Sequence, residues 1–355
     1  MSLGSLLEKE LHWSTRNVLI LVFLLLLLPA FFAGTSALFQ DAVPRSVPVA
    51  VVAEDDTVTD SDIGIVEGGL TLFTEPHRAD SRAQADKLLE RESVYAIVQV
   101  PGNLTTAGES AEFELVVDGS VVPFLSSSQV IASLVEVEMD RLLAADISVE
   151  REVVGEEKQL PEYLYPTFLM VLVIFFAFTY VPYNVKNESV VLDRIRVESS
   201  LEALVAAKLV FFTFLICFPI VVFHAGAVYY DYGVASLAPG AVLALLLTFA
   251  LLASVSTTIM ILSRFSGVGL FVNVTLMLGL LALSALAFPI GFFSTLRTTI
   301  AQALPTYYTM VITRSMMLKG SEITTFTEWY AAIVGLLLVA ALALKLSIVH
   351  YRRRS

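Results

Sequence analysis

The sequence predicts a mainly α-helical, polytopic membrane protein with six transmembrane helices and an extracellular α/β domain inserted between the first and second. Three observations predict it. Charged residues make up only 16% of the 355 and hydrophobic residues 56%, where soluble domains carry about 25% and about 45–50%. Uncharged apolar runs of the length needed to cross a bilayer, about 20 residues, recur along the chain. The charge is also segregated: residues 40–163 hold 25 Asp/Glu against 8 Lys/Arg, and the rest holds 9 against 14. The domain organisation that follows is 1–39, 40–163 and 164–355. A net charge of −12 argues against a nucleic-acid partner. The single cysteine, Cys217, leaves no internal disulfide framework and no cysteine-based zinc site.

The chain opens with Leu3, Leu7 and Leu11 on one side of a short helix, joined by Leu6 and Trp13. Glu8, Lys9, His12 and Arg16 occupy the rest, as in a helix lying in the membrane interface; a frayed terminus is the alternative. Residues 18–39 are the first span. A secretory signal is the rival reading, but its apolar core is typically about 7–15 residues.

In the acidic segment, 47–53 reads as a buried strand, 61–70 as a short helix and 70–74 as a strand. Residues 79–91 read as a helix, 94–100 and 113–117 as strands, and 121–145 as a long amphipathic helix. Strands alternating with helices predict a small α/β domain. Its only histidine, His77, sits between Pro76 and Arg78 and reads as a solvated loop residue. No G-x-S-x-G or H-E-x-x-H occurs, so the chain is not read as an enzyme. No EF-hand spacing appears and no metal site is expected. Asn103-Leu104-Thr105 is a glycosylation sequon, a short and frequent pattern.

The remaining spans are 164–181, 209–230, 239–263, 265–288 and 329–349. An even count puts both termini on one side. That side carries eleven Lys/Arg in its ends and short loops, against Arg297, Arg314 and Lys319 opposite. Both termini are therefore expected in the cytoplasm and 40–163 outside. Residues 291–328 are too polar and too broken by Pro305 for another span, and read as short helices dipping back toward the membrane.

The largest cytoplasmic loop, 184–208, carries Glu188, Asp193, Arg194, Arg196, Glu198 and Glu202. Ser199 and Glu202 fit a capping box. A charged helix here suits docking to a soluble partner; an ordinary solvated loop fits equally well. No Asp, Glu, Lys or Arg lies near the middle of a span, which disfavours a proton relay. His224 and Asn273 are the low-rank candidates for a substrate path, with helix contact the competing role. Thr257, Thr258 and Ser284 read as inter-helix hydrogen-bonding groups. Gly267, Gly269 and Gly279 read as points of close helix approach. No G-x-x-x-x-G-K-[ST] occurs, so a motor for ATP-driven transport has to be another polypeptide.

The order of these elements resembles the permease subunits of ABC-2-type ABC exporters, in particular the sodium- and drug-efflux branch with a large domain after the first span. Val47-Pro48-Val49-Ala50-Val51-Val52-Ala53-Glu54-Asp55-Asp56 is similar to that branch's opening strand and acidic turn. Ala85-Asp86-Lys87-Leu88-Leu89 and Tyr95-Ala96-Ile97-Val98-Gln99-Val100-Pro101 resemble its helix–strand–Pro segment. Pro305, Tyr307, Arg314 and Gly320 match the signature before the last span. The family's Gly-Thr-Leu-Glu in the cytoplasmic loop is here Ser199-Ser200-Leu201-Glu202, without the glycine. The resemblance implies a plasma-membrane exporter of two permease chains and two ABC ATPase subunits. ATP and Mg would bind in the ATPase, and this chain would hold no cofactor. The alternative is a membrane-anchored receptor or assembly scaffold whose outside domain binds an envelope partner.

Overall fold

A computed structural model of the chain describes residues 47–55, 57–72, 74–102, 104, 110–143, 146–189, 201–290 and 295–354. The leading helix, the first span, Asn103, Ser199 and the loop residues Asp193, Arg194, Arg196 and Glu198 lie outside them.

Residues 47–154 form a five-stranded sheet in the order β2-β1-β3-β4-β5. Its strands are β1 (Val47–Ala53), β2 (Thr74–Arg78), β3 (Ala96–Val100), β4 (Ser110–Asp118) and β5 (Asp146–Val154). β1 lies parallel between β2 and β3. It is covered on both faces, which is why it reads as an unbroken apolar run rather than an alternation. Helix α1 (Asp60–Leu70) and helix α3 (Val122–Leu142) cover Val49, Val51, Val98, Phe113 and Leu115. Helix α2 (Arg82–Glu90) covers Ala50, Val52, Ile97 and Val116 on the other face. α1 starts at Thr59, whose hydroxyl accepts from the Asp62 N–H while Asp62 accepts from the Thr59 N–H at 3.0 Å, a reciprocal cap.

The sequence reading shifts in three places here. The second strand runs over Thr74–Arg78, not 70–74, because Leu70 and Thr71 close α1. His77 therefore stands on an edge strand opposite Ala50, exposed, rather than in a loop. β5 was not anticipated: it alternates Ile147, Val149 and Val153 toward α3 with Glu150 and Glu152 outward, the weak pattern of a half-polar edge strand. It lies parallel to β4, so the long α3 is the crossover such a pairing requires.

Among the described residues, four helical stretches are long and apolar enough to cross a membrane: Leu160–Ser189, Leu201–Tyr229, Pro239–Leu262 and Ile323–Arg353. The first comprises α4 (Leu160–Phe175), a π-helical turn (Phe176–Tyr180) and α5 (Val181–Ser189). The Val181 N–H closes the wide turn on the Phe176 carbonyl, and Pro182, which has no N–H, follows directly. The second comprises α6 (Leu201–Leu215) and α7 (Cys217–Tyr229). It breaks at Ile216 because Pro219 cannot donate to the Leu215 carbonyl. α8 (Pro239–Leu262) is the central helix, with Ala241, Ala244, Leu245, Phe249 and Ala253 fully buried. At Gly240 the ends of the Met316 and Tyr330 side chains occupy the space a Cβ would take, so a larger residue has to displace Met316. The Tyr330 hydroxyl donates to the Gly240 carbonyl across the same contact, at 2.8 Å.

α9 (Gly267–Leu283) is shorter than the expected 265–288. It begins after a turn in which Arg264 and Phe265 both adopt left-handed backbone, and ends before Ala285, which does the same. Phe265 is held in that turn by its ring contact with Tyr351, 5.5 Å between centroids. Residues 295–326 are indeed short helices: α10 (Thr295–Gln302), α11 (Pro305–Arg314), a π-helical turn (Ser315–Lys319) and a 3-10 turn (Ile323–Phe326). α12 (Thr327–Arg354) completes the bundle.

Two sets of polar and small residues meet expectation in part. Thr257 and Thr258 donate to carbonyls four residues back in their own helix, not to a neighbour. Ser284 does bridge elements, to Thr306 at 2.6 Å. Gly269 is tightly packed, with Ser263 Oγ 2.0 Å from where its Cβ would be, whereas Gly267 and Gly279 face open space.

Candidate functional site

The residues singled out from the sequence fall into three places. At one end of the bundle, Lys208 of α6 pairs with Glu188 of α5 at 2.7 Å and also donates to Asn184. Arg352 of α12 pairs with Glu202 of α6. Glu188 and Glu202 are thus already engaged, and tie α5 to α6 and α6 to α12.

The second place joins the sheet region to the bundle and holds Arg314, Tyr307, Pro305 and Gly320. Arg314 is 1% exposed at its side chain and pairs with Glu92, itself 2% exposed, at 2.6 Å. A second guanidinium nitrogen donates to the Leu286 carbonyl at 3.0 Å, and the group lies 4.9 Å from the centre of the Tyr163 ring. Glu92 arrives there through the way α2 ends. The Glu92 N–H bonds to the Leu89 carbonyl and the Ser93 N–H to the Leu88 carbonyl. That is the double bond pattern of a Schellman cap, whose left-handed position usually belongs to glycine. Here it holds a glutamate at φ 50°. A left-handed non-glycine residue costs roughly 1–2 kcal/mol, and the buried ion pair with Arg314 offsets it.

The last carbonyls of α2 are also satisfied from the bundle. Ser315 Oγ donates to the Glu90 carbonyl at 2.6 Å and Lys319 Nζ to the Leu89 carbonyl at 3.2 Å. Lys319 additionally pairs with Asp118 at 2.5 Å. A cation at a helix C-terminus complements the helix dipole. Arg91 donates to the Thr325 carbonyl at 2.6 Å, and the Thr325 hydroxyl returns to the Glu90 carboxylate at 3.1 Å. Ser315 and Lys319 bound the π-helical turn, whose Met317 carbonyl accepts from the Ala235 N–H at 2.8 Å. Gly320 ends it at φ 69°, with open space where a Cβ would be, so its requirement is conformational. Pro305 opens α11 in its first turn, and Tyr307 is buried against Tyr308 and Trp329. Glu90, Glu92, Ser315 and Tyr163 were not legible as site residues. The one available signal was a glutamate where a helix stop calls for glycine.

The third place is inside the bundle. His224 Nδ1 lies 3.0 Å from Ser236 Oγ, linking α7 to the loop before α8. Asn273 is fully buried and donates to the Gly269 carbonyl at 2.9 Å and the Ser256 carbonyl on α8 at 3.4 Å. Both therefore serve as contacts between elements. Neither lines any of the three cavities described next.

Three cavities frame these places. One of about 720 Å³ lies at the junction, lined by Glu90, Asp118, Lys158, Met317, Lys319 and Ser321. One of about 560 Å³ crosses the open sheet face between Glu54, Glu112, Glu114 and Glu150. There Glu114 is held above its ordinary carboxyl range, chiefly by its hydrogen bond to Glu152 and then by burial. The third, about 320 Å³, is apolar and follows the Pro219 break between Phe175, Phe176, Leu215 and Phe218. Among the described residues no group of His, Cys, Asp and Glu is arranged to hold a metal ion. The junction chemistry is that of a buried mechanical joint: the contacts of Glu92, Glu90, Leu89, Arg91 and Asp118 cross between the sheet region and the α11–α12 segment.

A family model described as ABC-2 family transporter protein matches residues 18–348. No curated protein and no solved structure matches the chain.

Proposed function

Because the chain belongs to the ABC-2 family of transporter proteins, and is thereby a membrane transport subunit, we propose that it is the permease of an ATP-driven exporter. The family match across residues 18–348 carries this reading. Two permease copies pair with two ABC ATPase subunits, which bind ATP and Mg. The chain crosses the plasma membrane six times, with both termini in the cytoplasm and residues 40–163 outside. The four long apolar helices and the shorter α9 support five of those crossings.

The ATPase docks on the segment around 188–203. Its closure moves α5 and α6, and the ties Lys208–Glu188 and Arg352–Glu202 support passage of that motion into the bundle. ATP drives the change only by favouring one conformation over the other. At the far end the Arg314–Glu92 joint couples the α11–α12 segment to the sheet region, so the outer domain moves with the exit of the path. Pro305, Tyr307 and Gly320 set the shape of that segment.

The test is co-purification with a P-loop ATPase followed by ATP-dependent transport in vesicles. Charge reversal at Arg194 and Arg196 is expected to abolish ATPase association with folding intact. A chain that never associates with an ATPase would favour the receptor or scaffold reading instead. Labelling of single cysteines placed at each terminus and in the sheet region, in a Cys217→Ser background, checks the topology.

A further inference from the structure

We propose that the Lys345–Arg353 end of α12 binds the phosphate headgroup of an anionic phospholipid. α12 has 28 residues, about 42 Å of helix, against a hydrocarbon core of about 30 Å. Its last turns therefore extend beyond the acyl region. One face, with Ala340, Leu344, Ser347 and Ile348, is buried in the bundle. Away from it, Leu338, Val339, Leu342 and Leu346 are exposed. A seven-residue step on a helix returns to within roughly 20° of the same direction. Leu338 is thus followed along one row by Lys345 and Arg352, and Val339 along the next by Leu346 and Arg353. Both apolar rows end in cations.

Arg352 is taken up by Glu202. Lys345 and Arg353 are exposed and make no ion pair among the described residues. Tyr351 packs on Phe265, on the far side of the helix from Arg353, and so holds the helix end with Arg353 turned away from the bundle. A lysine in such a row lays its stem on the apolar surface and extends its ammonium to the headgroups. A soluble protein reaching Lys345 would have to enter the acyl region. A phospholipid meets the apolar row with its chains and the cations with its phosphate. Each Lys or Arg near an anionic surface strengthens attachment roughly fivefold.

The inference rests on α12 crossing the bilayer, and not on the ATPase partnership or on which leaflet its end occupies. The full chain is placed in lipid discs of phosphatidylcholine, alone or with a minority of phosphatidylglycerol in both leaflets. Lipid retained per chain is then read by native mass spectrometry. The wild-type chain is expected to retain phosphatidylglycerol over phosphatidylcholine and to lose it as salt is raised. Lys345→Gln with Arg353→Gln is expected to retain it at least tenfold less, with an unchanged thermal midpoint in pure phosphatidylcholine. Arg141→Gln, which removes an exposed arginine from α3 of the sheet region, is expected to behave as wild type. Should the double variant misfold, Lys345→Arg with Arg353→Lys is expected to keep both fold and lipid preference. Equal retention by the glutamine pair, equal loss on Arg141→Gln, or salt-insensitive retention would overturn the proposal.

Discussion

Removing the Glu92 charge is expected to be one of the most damaging conservative changes in this chain. Glu92→Gln keeps the size of the side chain and leaves Arg314 as an unpaired cation, its side chain 1% exposed. Breaking one side of a buried ion pair typically costs about 3–5 kcal/mol. Arg314→Met strands Glu92 and is expected to cost about as much. With both charges removed the desolvation penalty disappears, so the double variant is expected to be more stable than the sum of the two losses by about 3 kcal/mol. The backbone supplies an internal control. Glu92 stands at φ 50°, so Glu92→Gly in the Arg314→Met background is expected to recover about 1–2 kcal/mol relative to Glu92→Gln there. In the presence of Arg314 the same glycine loses more than it gains. The assay is reversible denaturant unfolding in detergent, with hydrogen exchange at residues 88–93 and 315–321 as the local readout. Additive losses, with a coupling under about 0.5 kcal/mol, would refute the reasoning. So would a Glu92→Gly single variant as stable as wild type.

Further outcomes follow from the same packing. Gly240→Ala places a carbon 2.3 Å from Met316 Sδ and beside Tyr330; a loss of about 1–3 kcal/mol is expected, read as a lower thermal midpoint. Gly320→Ala meets no atom but keeps φ 69°, so a smaller loss of roughly 1–2 kcal/mol is expected, and Gly320→Asn is expected to be milder. Thr59→Ala removes the α1 cap and is expected to cost about 1 kcal/mol, seen as faster exchange over residues 60–63. Glu114 is raised by Glu152, so the folded chain binds a proton there more tightly than the unfolded one. Its contribution to stability is therefore complete at low pH and lost as pH rises from the ordinary Glu range through the raised value. Glu114→Gln is expected to flatten the pH–stability curve in that window; an unchanged curve would contradict the assignment.

Long apolar runs, the acidic segment and the strand–helix alternation were legible in the sequence because each depends on local periodicity and on the solvent a segment tolerates. The helix start at Pro239, and the break near Pro305, could be read for the same reason. The strand β5 was hidden because an edge strand with outward Glu150 and Glu152 carries only half an apolar pattern. The early end of α9 was hidden because Ser284 and Ala285 lack the composition of a stop, and their turn is imposed by contacts with α11.

The site divides along the same line. Arg314 and Gly320 were singled out in the sequence through the family resemblance, which also supplied their grouping. That Arg314 reaches Glu92, a partner 222 residues away in sequence, was decided only in three dimensions. A left-handed helix stop ordinarily takes glycine where Glu92 stands, and an arginine is ordinarily exposed where Arg314 is buried. Each exception is stable only because the other lies 2.6 Å away. A buried ion pair depends on a mutual distance and a shared dielectric, and neither quantity is written in the neighbourhood of one residue.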